Sequence, residues 1–118
     1  MNTNISIDTV MKCGEADGWE VRADRQGNKT IFEFYKFTTA GQDFYFTASM
    51  TGNSIDSLAD EIEAYYENFD PDYEASLWIG PDGHGLRGAP YHIKDIVADM
   101  EEAEKMVYGL LEAVRKIA

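Results

Sequence analysis

The sequence contains one cysteine, Cys13, which excludes an intrachain disulfide and any multi-cysteine zinc site. No apolar run approaches the ~18 residues of a membrane span, and Met1–Thr9 lacks the charged-then-apolar layout of a secretory signal. Positive charge is scarce: 10 Lys and Arg stand against 22 Asp and Glu, a formal net charge of -12. Phosphate affinity comes from clustered Lys and Arg, so direct nucleic-acid binding is not expected. The same deficit argues against anionic membrane surfaces. A soluble, cytoplasmic domain is the expectation. The deficit is also local. Residues 1–36 and residues 87–118 each hold six acids and five bases, whereas residues 37–86 hold ten acids and no Lys or Arg at all.

With 118 residues, 44% of them hydrophobic and 13% aromatic, the chain has enough apolar material for one domain over residues 1–118. Ser6–Cys13 reads as a short helix with Ile7, Val10 and Met11 on one side, left through Gly14 and Gly18. Trp19–Asp24 alternates apolar and charged residues at period two, as a half-buried strand does. Thr30–Phe37 and Asp43–Met50 follow across turns at Gly27-Asn28 and Ala40-Gly41, which together predict an antiparallel meander. Ile55, Leu58, Ala59, Ile62, Tyr65, Tyr66 and Phe69 then recur at helical spacing, with Asn53 or Ser54 as N-cap and Pro71 as the stop. Tyr73, Ala75, Leu77 and Ile79 alternate with Glu74, Ser76 and Trp78, which predicts a short fourth strand. Gly80–Pro90, with four glycines and two prolines, reads as a loop. A long helix from Ile93 to Ile117 closes the chain; Asp99 is placed to cap a break within it, and Gly109 weakens it locally. The expected fold class is α+β: a short N-terminal helix, a three- to four-stranded antiparallel sheet with helices on one face, and a long C-terminal helix. Trp19, Phe32, Phe34, Phe37, Phe44, Phe46 and Trp78 are the expected aromatic core, and one of Tyr65 and Tyr66 sits at its margin.

Chemistry is sought first where the acids are densest. Asp56, Asp60, Glu63 and Glu67 are spaced 4, 3 and 4 apart, so their carboxylates stack along one exposed helix face. That stripe is ~16 Å long at ~1.5 Å per residue, and Asp70, Asp72 and Glu74 prolong it. Duplex DNA carries one negative charge per ~1.7 Å of axis, so such a surface suits a basic nucleic-acid channel on a partner. A plain solvated face accounts for the same residues. Solvated faces are normally mixed in sign, and this one is not, which sets recognition beside solvation.

Gly83-His-Gly-Leu-Arg-Gly88 has the literal G-x-G-x-x-G spacing. It fails as a dinucleotide site because Ala89-Pro90 intervenes before the helix and no later strand carries an acid. Asp82, His84, Arg87 and His92 form a secondary candidate, a carboxylate beside an imidazole being the minimum for acid–base work. No nucleophile or metal-ligand spacing surrounds them, and a histidine balancing neighbouring carboxylates explains them as well. Neither an enzyme class nor a metal or other cofactor is expected.

The runs Gly41-Gln-Asp-Phe44, Tyr65-Tyr-Glu-Asn-Phe-Asp70, Glu74-Ala-Ser-Leu-Trp-Ile-Gly80, Asp82-Gly-His-Gly85 and Gly88-Ala-Pro-Tyr-His-Ile-Lys-Asp95 resemble a group of small acidic proteins carried on bacterial conjugative elements and phages. The resemblance covers Ile7 to about Met106, and no catalytic residue is carried over from it. It implies a setting in which small acidic proteins disable host nucleases, as anti-restriction and anti-CRISPR proteins do; the link is one of context and charge. The expected function is an acidic binding protein that occupies the basic nucleic-acid site of a partner such as a defence nuclease. Asp56, Asp60, Glu63, Glu67, Asp70, Asp72 and Glu74 would be its contact charges. The alternatives are a small-ligand or enzymatic domain using the Gly80–Pro90 loop, or a structural subunit of a mobile-element machine, homodimeric through the long C-terminal helix.

Overall fold

The computed structural model describes residues 3–86 and 89–118. The elements run α1 (Thr3–Ala16), β1 (Glu20–Gln26), β2 (Lys29–Phe37), β3 (Asp43–Thr51), α2 (Ile55–Glu67), α3 (Pro71–Ser76) and α4 (Ile93–Ile117). The three strands form an antiparallel sheet in the order β1-β2-β3, with Phe34 opposite both Val21 and Phe46. Period-two alternation sends Val21, Phe32, Phe34, Phe44, Phe46, Ala48 and Met50 to one buried face. The opposite face shows Arg22, Glu33, Tyr35, Tyr45 and Thr47, with Tyr35 and Tyr45 stacked at 5.3 Å.

Helices cover the buried face. Gly14 lets α1 approach β1 closely, since a Cβ there would lie 2.6 Å from Val21 Cγ2. The α2 helix starts where Ser54 caps it, its side chain accepting from the Ser57 N–H. It buries Leu58, Ala59 and Ile62. The 25-residue α4 packs against α1, α2 and α3 and buries Ile96, Met100, Ala103, Val107, Leu110, Leu111 and Val114. These residues and the sheet's inner face form one hydrophobic core, within which Trp19 meets Phe34 and Phe46 edge to face. Among the described residues, no helix is long and apolar enough to cross a membrane.

Three expectations are corrected. The predicted fourth strand at Tyr73–Ile79 is largely the helix α3. Asp70 caps it by accepting from the Asp72 and Tyr73 N–H groups, Pro71 fixes its first residue, and Asp72 and Glu74 lie in its first turn. Among the described residues, an isolated bridge between Ile79 and Gly85 is what remains of strand pairing there. Phe37 is 71% exposed rather than core, because alternation from Phe34 carries it to the outer face. Asp99 does not cap a break, since α4 is continuous. Its buried carboxylate instead accepts from the Thr38 hydroxyl and, at 2.9 Å, from the Ala40 N–H. The β2–β3 turn is thereby pinned to α4.

Candidate protein-binding surface

The α2 stripe forms, but not as an uninterrupted run of negative charge. α4 lies antiparallel to α2, with Tyr108 against Tyr66 and Arg115, about two turns further along α4, against Asp60 nearer the start of α2. Arg115 Nη2 donates to Asp60 Oδ1 at 3.1 Å and also to Glu63 Oε2. These two carboxylates hold the Arg115 guanidinium above its usual pKa, Glu63 contributing more than Asp60. Lys116 lines the same shallow hollow as Glu63, Glu67, Tyr66 and Tyr108. The physical cause is the C-terminal turn of α4: basic residues favour the negative end of the helix dipole, and antiparallel packing sets that end on the acidic face of α2. The segment without Lys or Arg is real in sequence, yet in space a cation from α4 clasps its middle.

The other acids divide by task. Asp56 and Glu67 are exposed at the two ends of α2 and form no ion pair among the described residues. Glu61 lies off the stripe and accepts from the Ser49 N–H and, at 2.8 Å, from the Ser49 hydroxyl, tying α2 to the sheet edge. Asp70 serves as the α3 cap, and Asp72 is exposed beside it. Glu74 is half-buried; burial and neighbouring Asp70 push its carboxyl above the usual range. It lines a groove of about 770 Å³ between the first half of β3 and the α3 segment, with Asp43, Phe44, Tyr45, Leu77, Trp78 and Leu86. The Tyr65 hydroxyl is pushed up mainly by burial, with Glu74 adding to the shift. Its ring stacks on Phe46 at 4.5 Å. Tyr73 and Leu77 are 61% and 56% exposed, so this end of the molecule presents apolar side chains ringed by acids. Sequence reasoning missed this groove, because it depends on where packing against α4 sets α3 and the residues after it relative to β3.

The secondary loop is a closed turn. Asp82 Oδ1 accepts from the His84 N–H at 3.1 Å, and the His84 ring stacks on Tyr91 at 4.1 Å. Gly80 donates to the His84 carbonyl and Gly85 to that of Tyr91. A Cβ on Gly85 would fall 1.9 Å from the Pro90 carbonyl oxygen, so close backbone approach accounts for that glycine. His92 is exposed at the start of α4 and makes no side-chain cap; Arg87 lies outside the described residues. Among the described residues, no three His, Cys, Asp or Glu side chains converge as metal ligands.

No protein family, no curated protein and no solved structure matches the chain.

Proposed function

We propose that this chain is a cytoplasmic binding protein without catalytic activity of its own. In this reading it engages the basic nucleic-acid-binding surface of a partner, such as a defence nuclease, and competes there with phosphate. The observation that carries the reading is the run of ten acids without Lys or Arg over residues 37–86, folded into β3, α2, α3 and the turn after it. The effective charges are narrower than the stripe suggests. Among the described residues Asp56, Glu67 and Asp72 are exposed and form no ion pair, Asp70 caps α3 beside Asp72, Glu74 lines the groove, and Arg115 pairs with Asp60 and Glu63.

Charge pairs of this kind act chiefly on encounter rate and are screened by salt. The test is inhibition of DNA cleavage by a panel of purified restriction and RNA-guided nucleases. A susceptible nuclease should be inhibited by the wild-type chain and ~10-fold or more less by the combined Asp56→Lys, Glu67→Lys and Asp72→Lys variant, the scale of electrostatic steering. Arg115→Gln should strengthen inhibition by releasing Asp60 and Glu63. Inhibition indifferent to both changes, in folded variants, removes the proposal.

A further inference from the structure

The backbone of β3 has a definite parity. Gln42 accepts from the Thr38 N–H and Gly52 donates to the Asn28 carbonyl, so even-numbered residues turn their peptide groups towards β2. Odd-numbered ones turn outward: the Ser49 N–H reaches Glu61, and the Thr51 N–H reaches the Ser57 hydroxyl at 2.9 Å. The α2 helix thus closes the far end of this sheet edge through two side chains. Asp43, Tyr45 and Thr47 share the outward parity, and the described residues give their N–H groups no partner outside the sheet. An open edge ~13 Å long results, at ~3.3 Å per residue. It borders the groove walled on its far side by Glu74, Leu77, Trp78 and Leu86.

Open edges are usually blunted by charge, as β1 is by exposed Arg22, Asp24 and Arg25. Here the edge faces an apolar wall, with a carboxylate on either side of the groove and, among the described residues, no Lys or Arg lining it. We propose that this groove takes an extended, basic segment of a partner protein, which adds to the sheet as a fourth strand along Asp43, Tyr45 and Thr47. Main-chain hydrogen bonds to the edge supply affinity. Alternate side chains supply selectivity: one set packs on Phe44, Trp78, Leu77 and Leu86, and Lys or Arg from the segment meets Asp43 and Glu74. Glu74 is kept half-buried beside Asp70, an arrangement that an incoming cation relieves. The inference rests on the chain being a binding protein and adds the manner of docking.

The probe is a displayed library of random linear peptides, with the selected sequences then synthesised. Selected peptides should alternate basic and apolar residues. In hydrogen exchange, the amides of Asp43, Tyr45 and Thr47 should exchange freely in the unbound chain and become protected in the complex. Tyr45→Pro removes an outward N–H together with the ring stacked on Tyr35, and no hydrogen bond to β2. Tyr45→Ala, which loses the ring alone, should weaken binding less, whereas Tyr45→Pro should weaken it tenfold or more. N-methylation of alternate peptide residues should do the same with no change to the protein, which keeps the test valid if the proline variant folds poorly. Glu74→Gln should relax the preference for Lys and Arg. Failure to select any peptide, binding unaffected by N-methylation, or protection of the three amides by self-association of the chain would each overturn strand addition. Nuclease inhibition that survives Tyr45→Pro but is lost on reversing Asp56, Glu67 and Asp72 would overturn the docking mode while leaving the proposed function standing.

Discussion

Asp99 offers the sharpest test of how this fold is held. It is 5% exposed, sits in the second turn of α4, and accepts from the Thr38 hydroxyl and the Ala40 N–H, while Thr38 Oγ1 in turn accepts from the Gln42 N–H. Asp99→Ala removes both acceptors and leaves two donors of the β2–β3 turn unmatched. Hydrogen bonds to a charged group are each worth ~1.5–3 kcal/mol, so losing the two is expected to cost ~3–6 kcal/mol. A domain of this length has roughly 6–18 kcal/mol in all, and the melting temperature should fall by ~10–30 °C. Asp99→Asn keeps the shape and one carbonyl acceptor and should cost about half as much. Thermal and urea unfolding of Asp99→Ala, Thr38→Val and the double variant measure the coupling. The double variant should cost less than the sum of the two by ~1 kcal/mol or more, since both singles break one shared bond. A melting temperature for Asp99→Ala within ~2 °C of wild type, on a scale of ~3–5 °C per kcal/mol, would refute the pinning of the turn to α4.

Three further outcomes follow from the geometry. Because the folded state raises the Glu74 pKa, its proton-linked contribution is fully present below the ordinary carboxylate value and is lost as pH rises through the raised one. Glu74→Gln should therefore melt higher than wild type at neutral pH and match it in acid, as calorimetry across that window would show. Gly14→Ala places a methyl 2.6 Å from Val21 Cγ2, and overpacking of this kind should cost ~1–3 kcal/mol in urea unfolding. The Cys13 thiol, pushed up by burial and then by Asp17, should react with alkylating reagents at neutral pH more slowly in the folded than in the unfolded chain.

The sheet was legible because its strands alternate with little ambiguity and are joined by short turns: Phe44, Phe46, Ala48 and Met50 announce their face, and Gly27-Asn28 marks a reversal. α2 was legible from its stripe and its Ser54 cap. α3 was not, because six residues fit either period; the capping signal at Asp70-Pro71 outweighs the alternation of Tyr73, Ala75 and Leu77. Asp99 was misread because local sequence shows a capping residue type but not a hydrogen-bond donor 61 residues away. The same limit governs the candidate surface. The acidic stripe follows from spacing within one helix, whereas the Arg115 clasp joins positions 55 and 52 residues apart. The groove beside β3 needs strand parity and α3 placement together.

Competition between the acidic surface of this chain and a nucleic acid for one basic surface on a partner is the core of the proposed function. It is tested most directly by measuring the affinity of the chain for an inhibited nuclease at rising salt, with and without the duplex DNA that nuclease cleaves. Affinity should fall steeply with salt, and binding of chain and DNA should be mutually exclusive. A ternary complex with DNA in place, or an affinity flat across the salt series, would contradict it.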